Sequence, residues 1–419
     1  MDLLAWDLGE PDGVLTTNKV VFDIGNFLTN TSISVVHPMK GPMMTQTLRG
    51  LNGLDPFHWR GDRTNFTHFN MAFSTLLGGS SLSDADINAF RDFINTIQFE
   101  PNPNQNLDRT LPTSLPNVAG NPRIGFTNFA VNTFIPGTSC TTCHQLPNGS
   151  GRFIVTAMTL GPGTNQDFKV PHLRNVYQKL NFNPAPGASS IGGFGLSHDG
   201  SFTDPLAFFT KIFFVGLPPD RRTNLNAYLR CFDTGTAPAV GHARSLAATN
   251  VTTTDISNDW TLLESQAAMG TNINLIVKGT LNGQHHGFLY QPLANNYKPD
   301  STNFAAFSRA QLVAKVQTGD TLMIMGVPPG SGERMAIDRD ANGVLDADEP
   351  LPRLQIAQVS GKAVLNWPLG AVGFLLEESP SLGSPIWSAD TNAVDIVNNL
   401  NFITNALPKN EQFFRLRQP

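Results

Sequence analysis

Charged residues are scarce in this chain, at 15 % of 419 residues, and the formal net charge is only −5. Proteins that bind nucleic acid or anionic membranes normally carry excess positive charge, so neither partner is expected. No apolar run reaches the ~18 residues that a membrane span requires. The opening MDLLAWDLGEPDG also lacks the basic start and apolar run of a secretory signal.

The chain has only three cysteines, too few for a disulfide framework. Two of them lie in the run CTTCH, which spans Cys140 to His144. C-x-x-C-H is the pattern of c-type haem attachment, in which both thiols bond to one porphyrin. The adjacent histidine then ligates the iron. We therefore predict one covalent haem, held by Cys140 and Cys143, with His144 as the iron ligand.

Three other interpretations of CTTCH stay open. A zinc site would need a fourth ligand, and the remaining thiol, Cys231, lies far along the chain without a partner. A thioredoxin-like redox pair would need a βαβ context, which the loop-like flanking sequence does not offer. Chance occurrence is the third alternative.

Haem c is normally attached outside the bacterial cytoplasm, which predicts a periplasmic or extracellular location. Since the given chain has no leader, we expect the natural chain to carry one, or a larger upstream part.

The first 235 residues follow one plan twice, irregular loops closed by an amphipathic helix. Ser83 begins the first such helix, SDADINAFRDFINTI, with acids in its first turn. DRRTNLNAYLRCF closes the second copy. We predict two cytochrome c-like units, residues 1–115 without a haem motif and 116–235 with it.

The sequence changes character after residue 235. Short runs rich in β-branched and aromatic residues, including NVTTTDISNDWTLL and NINLIVKGT, predict a β-rich domain over 236–350. Runs such as AVLNW and QFFRLR over 351–419 are spaced like the strands of a small β-sandwich. The expected fold is multidomain α+β: a mainly α cytochrome c-like haem region, a β-rich region and a β-sandwich.

Three segments together resemble a known family. CTTCH, FKVPHLRNV and GLSHDGSFTDPLAFF resemble the C-terminal haem domain of the bacterial di-haem cytochrome c peroxidases. Further upstream, TLRGLNGLDPFHWRGDR is similar to a segment of that family's first haem domain. The resemblance covers about residues 37–235, and the rest of the chain resembles extensions attached to such domains.

The resemblance implies roles for individual residues. Arg174 would lie near the haem propionates, where a guanidinium can pair with a carboxylate in bidentate fashion. Trp59 would match the aromatic between two haems. Each has a simpler alternative: a turn cap for Arg174, and for Trp59 a core position, which is the more common role of such a residue. His198 would either ligate the iron or orient a propionate.

This chain departs from the family at three points. No cysteine precedes His37, so the first haem motif is missing, and no Asp or Glu occupies the run TNFTHFNMAF where the catalytic carboxylate is expected. The position of the family's methionine ligand falls at Ile212. The local candidates that remain are His198 and Met158. We predict that the family's Met ligation is lost, so that the sixth iron position is open, held by water or ligated by His.

A second motif is independent of the haem. The segment Asp338–Glu349 matches the calcium-loop pattern D-x-[DN]-x-[DN]-G-x5-E in full. The predicted calcium ligands are Asp338, Asp340, Asn342, the Val344 carbonyl, Asp346 and Glu349. The alternative is an acidic turn without metal. We interpret His285 and His286 as an exposed turn pair and not as a metal site.

Three functions compete. The preferred one is electron transfer to a redox partner protein, and the second is a peroxidase-like oxidoreductase that acts on hydrogen peroxide. The third is a surface protein with a degenerate haem domain, whose β-modules contact a cell surface or polymer.

Overall fold

The computed structural model describes most of the chain after residue 40. Before that point it describes only strands β1 (Ala5–Trp6), β2 (Val20–Phe22) and β3 (Thr29–Asn30). The other described residues are 41–131, 138–155, 167–181, 193–210, 214, 216–349, 352–371, 373–383, 386–406 and 411–417. His37, Met158 and Ile212, which carried predictions above, lie outside these ranges.

The haem-motif half of the chain contains short helices separated by long irregular segments. They are a 3₁₀ turn at Phe66–Phe69 and α1 (Asn70–Thr75), α2 (Asp84–Thr96), α3 (Pro122–Ala130), α4 (Cys140–Cys143), α5 (Val176–Lys179), α6 (Pro205–Phe208) and α7 (Pro219–Arg230). Further strands are β4 (Met43–Met44), β5 (Ile154–Val155) and β6 (Phe168–Lys169). β1 pairs with β4, and a four-stranded sheet has the order β3-β2-β5-β6.

The expected fold class is wrong in its central statement. The structure has 26 % helix and 24 % strand, so the first half is not a mainly α cytochrome-like region. The physical reason is that runs rich in Gly, Pro and Asn separate the helices, for example PNPNQN after α2 and LPNGSG after the C-x-x-C-H motif. Loops and short strand pairs occupy the space where longer helices were expected.

Helix α2 agrees with its sequence signals. The Ser83 hydroxyl accepts a hydrogen bond from the Asp86 amide at 3.2 Å, which makes Ser83 the N-cap. Ile87 and Ile94 are buried, whereas Phe93 on the same helix is 62 % exposed. The apolar stripe is therefore only partly covered.

Helices α3 and α7 pack closely and hold the segment that carries the haem motif. A Cβ added at Gly125 would lie 2.0 Å from the carbonyl oxygen of Asn224, so only glycine allows this approach. One turn later, Phe129 packs on Tyr228 with ring centroids 5.2 Å apart. Leu173 from the FKVPHLRNV segment belongs to the same buried cluster.

The following region mixes helix and sheet. It contains β7 (Ala243–Leu246), α8 (Thr254–Ala268), β8 (Asn274–Leu281), β9 (Gln284–Gln291), β10 (Asn296–Pro299), α9 (Arg309–Gln317), β11 (Thr321–Val327) and α10 (Gly332–Ala336). The five strands have the order β10-β9-β8-β11-β7. The prediction that NVTTTDISNDWTLL is β-rich is wrong, because α8 buries Ile256, Trp260 and Leu263 at helical spacing.

The last part of the chain consists of antiparallel strands. They are β12 (Gln355–Val359), β13 (Lys362–Pro368), β14 (Leu375–Ser379), β15 (Ser388–Ala389), β16 (Asp395–Val397), β17 (Leu400–Ala406) and β18 (Phe413–Arg417). They form two sheets, β12-β13-β17-β16 and β15-β14-β18. Leu365, Trp367 and Ile403 from the first sheet share a buried cluster with Leu376 from the second.

Contacts between Cα atoms group the chain into two compact units. The first comprises 1–245, 252–275 and 324–330, and the second comprises 246–251, 276–323 and 331–419. The four-domain division stays a prediction. None of the helices in the described part of the chain has both the length and the apolarity of a membrane span.

Candidate functional site

The C-x-x-C-H residues form α4, a single turn of helix that follows α3 in the chain. The Ser139 amide donates to the Thr142 hydroxyl at 3.1 Å at the start of the turn. At its end, the His144 amide donates to the Cys140 carbonyl at 2.8 Å. The Thr141 hydroxyl donates to the Ala130 carbonyl of α3 at 3.4 Å. These bonds fix the two cysteines and the histidine on one rigid turn.

The His144 imidazole is oriented by the backbone. Its Nδ1 lies 2.7 Å from the carbonyl oxygen of Gly149. Because a carbonyl can only accept, Nδ1 carries the proton and Nε2 keeps a free lone pair. Burial lowers the pKa of His144, and hydrogen bonds to the Gly149 and Pro171 carbonyls partly offset this. A neutral imidazole with a free Nε2 is the form that ligates a metal.

The two motif thiols are free and held in the neutral form. Burial, with a smaller contribution from Cys143, raises the pKa of Cys140 to about 12. Burial also raises the pKa of Cys143 to about 11. Thioredoxin-like pairs depend on a lowered thiol pKa, so this environment argues against a redox disulfide.

The zinc interpretation finds no fourth ligand at Cys231. That thiol is buried and donates to the Asn104 carbonyl at 3.3 Å. Burial raises its pKa to about 12. Over the described residues, no three His, Cys, Asp or Glu side chains converge as a metal site.

Arg174 lines a cavity of about 490 Å³, which we call the Arg174 cavity. The cavity begins beside the motif, since Leu146 also lines it, and Tyr228 contributes to its apolar wall. The Arg174 Nη2 donates to the Gly50 carbonyl at 2.5 Å, and its guanidinium lies 5.4 Å from the Phe99 ring centroid. Its Nε is buried without a hydrogen-bond partner. Arg174 therefore has a donor available for an acidic group.

A second cavity, of about 60 Å³, contains basic groups that the sequence did not single out. Its charged and titratable lining side chains are His58, Lys169, His172 and Lys179, with no Asp or Glu among its lining residues. We call it the basic cavity. It adjoins the motif through Pro171, whose carbonyl interacts with His144. The FKVPHLRNV pattern contains two of these residues, but their burial was not predictable from the sequence.

Trp59 and His198 lie close to the FKVPHLRNV segment. The Trp59 indole donates to the Met44 carbonyl at 2.8 Å, and the Lys179 ammonium lies 5.6 Å from its ring centroid. The His198 ring stacks on Phe168 with centroids 4.2 Å apart. The structure thus places both beside FKVPHLRNV, and the iron-ligand role of His198 stays a prediction.

Asp62 is the acid closest in sequence to Trp59, and it is fully engaged. Its carboxylate accepts from His58 Nδ1 at 2.8 Å, from Arg60 at 3.4 Å and from Arg63 at 3.3 Å. Burial alone would raise the pKa of Asp62, but the His58 hydrogen bond and the nearby cations lower it far below its usual range. Such a carboxylate is a poor proton carrier near neutral pH.

The predicted calcium loop follows α10 and is closed by its own side chains. Asp338 accepts from the Gly343 amide at 2.9 Å, and Gly343 has φ +87°, the left-handed conformation expected for this position. The Asn342 amide group donates to Asp340 at 3.0 Å and to Glu349 at 3.1 Å. Three of the predicted ligands thus meet at Asn342.

Arg339 and residues 300–302 surround this loop. Arg339 contacts Asp346 at 3.3 Å and Glu349 at 3.4 Å, so a cation already balances two of the predicted ligands. The Ala347 amide donates to the Asp300 carbonyl at 2.9 Å, and Ser301 donates to Asp348 at 2.6 Å. These bonds attach the loop to residues 300–302.

The interpretation of His286 as an exposed turn residue is wrong. It lies in β9 and is buried, with Nδ1 2.7 Å from Asp300 Oδ1. The other oxygen of Asp300 accepts from the Gly287 amide at 2.9 Å. This pair was not predictable from the sequence, because Asp300 lies fourteen residues from His286 and follows a different strand, β10.

The comparisons with known proteins give no match. No protein-family model, curated protein or solved structure matches this chain. The likeness to di-haem cytochrome c peroxidases therefore rests on the four sequence segments alone.

Proposed function

We propose that this chain binds one haem covalently through Cys140 and Cys143, with His144 as an iron ligand, and exchanges electrons with a redox partner protein. The bound haem would supply a centre that accepts and returns one electron. Attachment outside the cytoplasm implies a periplasmic or extracellular location. The resemblance to the di-haem cytochrome c peroxidases supports this proposal but does not carry it.

One observation carries the haem assignment. The Gly149 carbonyl holds the proton of His144 on Nδ1, so Nε2 is available next to two free thiols on the same turn. In metal-ligating histidines the second ring nitrogen commonly donates to a carbonyl in this way. The unpartnered Nε of Arg174 supports the fit, because a haem carboxylate would satisfy it.

Electron transfer is favoured over peroxide chemistry by the acids near the motif. A peroxidase needs a group that moves the peroxide proton, with a pKa near the working pH. Asp62 is held ionised by His58 and two arginines, and no carboxylate lines the basic cavity. Among the described residues, neither Asp62 nor the lining of the basic cavity therefore offers a suitable acid.

The direct test is mass spectrometry of protein matured by a cytochrome c assembly system. We expect the mass of the chain plus one haem, and no haem on the Cys140→Ala/Cys143→Ala variant. Cys231→Ser is the matched control, since it removes the one thiol outside the motif and should keep the haem. A mass corresponding to two haems, or to none in the unaltered chain, would refute the proposal.

Spectroscopy separates electron transfer from the peroxidase alternative. We expect no Met–iron charge-transfer band in the near-infrared spectrum of the ferric protein. The reduction potential should then lie below that of a His/Met cytochrome c, because thioether ligation raises the potential. A Met band that disappears in Met158→Ala would contradict this expectation. A high-spin signal with peroxide turnover would favour the enzyme.

We further propose that residues 338–349 bind calcium and stabilise the second unit. Support comes from the complete loop pattern and from the meeting of Asp340, Asn342 and Glu349 oxygen and amide groups. Calcium would have to replace Arg339 as the partner of Glu349 and Asp346.

A further inference from the structure

The basic cavity brings together three basic side chains from the FKVPHLRNV segment and α5. Lys179 is 9 % exposed and lines the cavity with Lys169 and His172. No ion-pair partner of these three side chains is found among the described residues. Among the described residues, Lys169 donates to the Leu54 carbonyl, and the Lys179 ammonium lies 5.6 Å from the Trp59 ring centroid.

Two buried atoms in this cavity lack a hydrogen-bond partner. They are Nδ1 of His172 and Oδ1 of Asn175, and both residues line the cavity. Native proteins leave few buried polar atoms unpaired, because each costs about 1–3 kcal/mol. Unpaired atoms around one cavity indicate a missing polar occupant.

No acidic side chain lines the cavity to balance the charges of Lys169 and Lys179. Burial lowers the pKa of Lys179 to about 8, and burial together with Arg152 lowers that of Lys169 to about 7. Burial and then the charges of Lys179, Arg174 and Lys169 lower the pKa of His172 well below its usual value. An anion in the cavity would reverse each of these shifts.

The cavity size limits the occupant. A volume of about 60 Å³ has room for a few water molecules or one small polar group. Thr45, Gln46 and Ser197 add neutral polar groups to the lining. Ammonium and imidazole groups are donors that suit carboxylate or phosphate oxygens.

We propose that the basic cavity is an oxyanion-binding site formed by Lys169, His172 and Lys179. The oxyanion can come from two sources, a carboxylate of the proposed haem or a free anion such as phosphate or succinate. The first source rests on the proposed function, whereas the second does not. The site itself stands on the arrangement of the three side chains.

The test uses the full chain as matured, with Lys179→Met as the variant. Lys278→Met, which removes an exposed lysine, is the matched control. Melting temperature is measured with phosphate and with succinate, and reduction potential is measured by redox titration. Lys179→Arg retains the charge, and Lys169→Met provides an independent variant if Lys179→Met does not fold.

Each outcome decides the question. If added phosphate or succinate raises the melting temperature of the unaltered chain but not of Lys179→Met, the site binds a free oxyanion. If neither does, but Lys179→Met alone lowers the reduction potential and Lys179→Arg restores it, the haem carboxylate occupies the site. If melting temperature and potential are the same in all variants, the proposal is wrong. A chain without haem fails the proposed function, yet the melting experiment still tests the site.

Discussion

His172 and His286 both have a buried Nδ1, but they differ in what surrounds it. Asp300 accepts from His286 at 2.7 Å and also from the Gly287 amide, so the polar groups around β9 satisfy one another. The Nδ1 of His172 has no hydrogen-bond partner, and the charges near this ring are those of Lys179, Arg174 and Lys169. A satisfied pair is explained by stability alone. An unsatisfied basic group is better explained by a ligand.

The largest expected effect comes from breaking the satisfied pair. Asp300→Ala should lower the free energy of unfolding by about 3–5 kcal/mol, because it leaves His286 and the Gly287 amide buried without an acceptor. Urea unfolding measures this loss. Asp395→Ala, at an exposed position in β16, is the control and should stay within about 0.5 kcal/mol. A loss below 1 kcal/mol for Asp300→Ala would mean that the pair is not structural.

The opposite sign is expected in the basic cavity. In haem-free protein without added anions, Lys179→Met should raise the free energy of unfolding by about 3 kcal/mol below pH 8. The pKa of Lys179 is about 8 in the folded chain instead of 10.5, and each unit corresponds to about 1.4 kcal/mol.

The pH dependence follows from the same shift. Below pH 8 Lys179 is charged in both states, so the full cost of burying the charge is present. Between pH 8 and 10.5 only the unfolded chain binds the proton, so the stability of the unaltered chain rises. The advantage of Lys179→Met should therefore shrink across this interval, as measured by urea unfolding at several pH values. A variant less stable than the unaltered chain at pH 7 would show that Lys179 has a partner.

Calcium should have a slightly smaller effect on the second unit. Binding to the folded state alone stabilises by about 2.7 kcal/mol at a calcium concentration of 100 Kd. The melting temperature should rise with calcium and fall with chelator, and Glu349→Gln should remove the response. Glu411→Gln, an exposed position outside the loop, should keep it. An unchanged melting temperature would leave Arg339 as the only cation of the loop.

The smallest effect is expected from truncation. A chain that ends before Ile356 should retain its haem spectrum, because the buried cluster around Trp367 draws its residues from β12–β18 and adjacent turns. Visible absorption of the matured truncated protein measures this. Loss of haem would show that the first unit depends on the C-terminal strands.

Local patterns in the sequence predicted local structure. The Ser83 cap and the amphipathic pattern predicted α2, and the β-branched run NINLIVKGT predicted β8. The same reasoning failed for α8, where Thr252 and Thr253 precede the helix and Ile256 lies inside it, among buried residues spaced three or four apart. Tertiary burial overrode the local preference there.

The chemistry of the site was only partly visible in the sequence. The thiols and His144 are recognisable because C-x-x-C-H is the spacing typical of haem attachment. The basic cavity and the His286–Asp300 pair depend on which side chains fold against each other. Nothing in the local sequence indicates that Lys179 is buried, since lysine is normally exposed.

The contact at Gly125 also bears on the order of events during maturation. Helices α3 and α7 flank the motif, and Cys140 packs against the cluster that includes Tyr228 and Phe232. Once α7 docks at Gly125, the Cys140 thiol is largely covered, so we expect attachment to occur on a chain that is still open. Gly125→Val would keep the chain open for longer, and pulse labelling of Cys140 during refolding would show a longer period of thiol access. The absence of a side chain at Gly125 would thus determine how long the Cys140 thiol stays accessible to the assembly system.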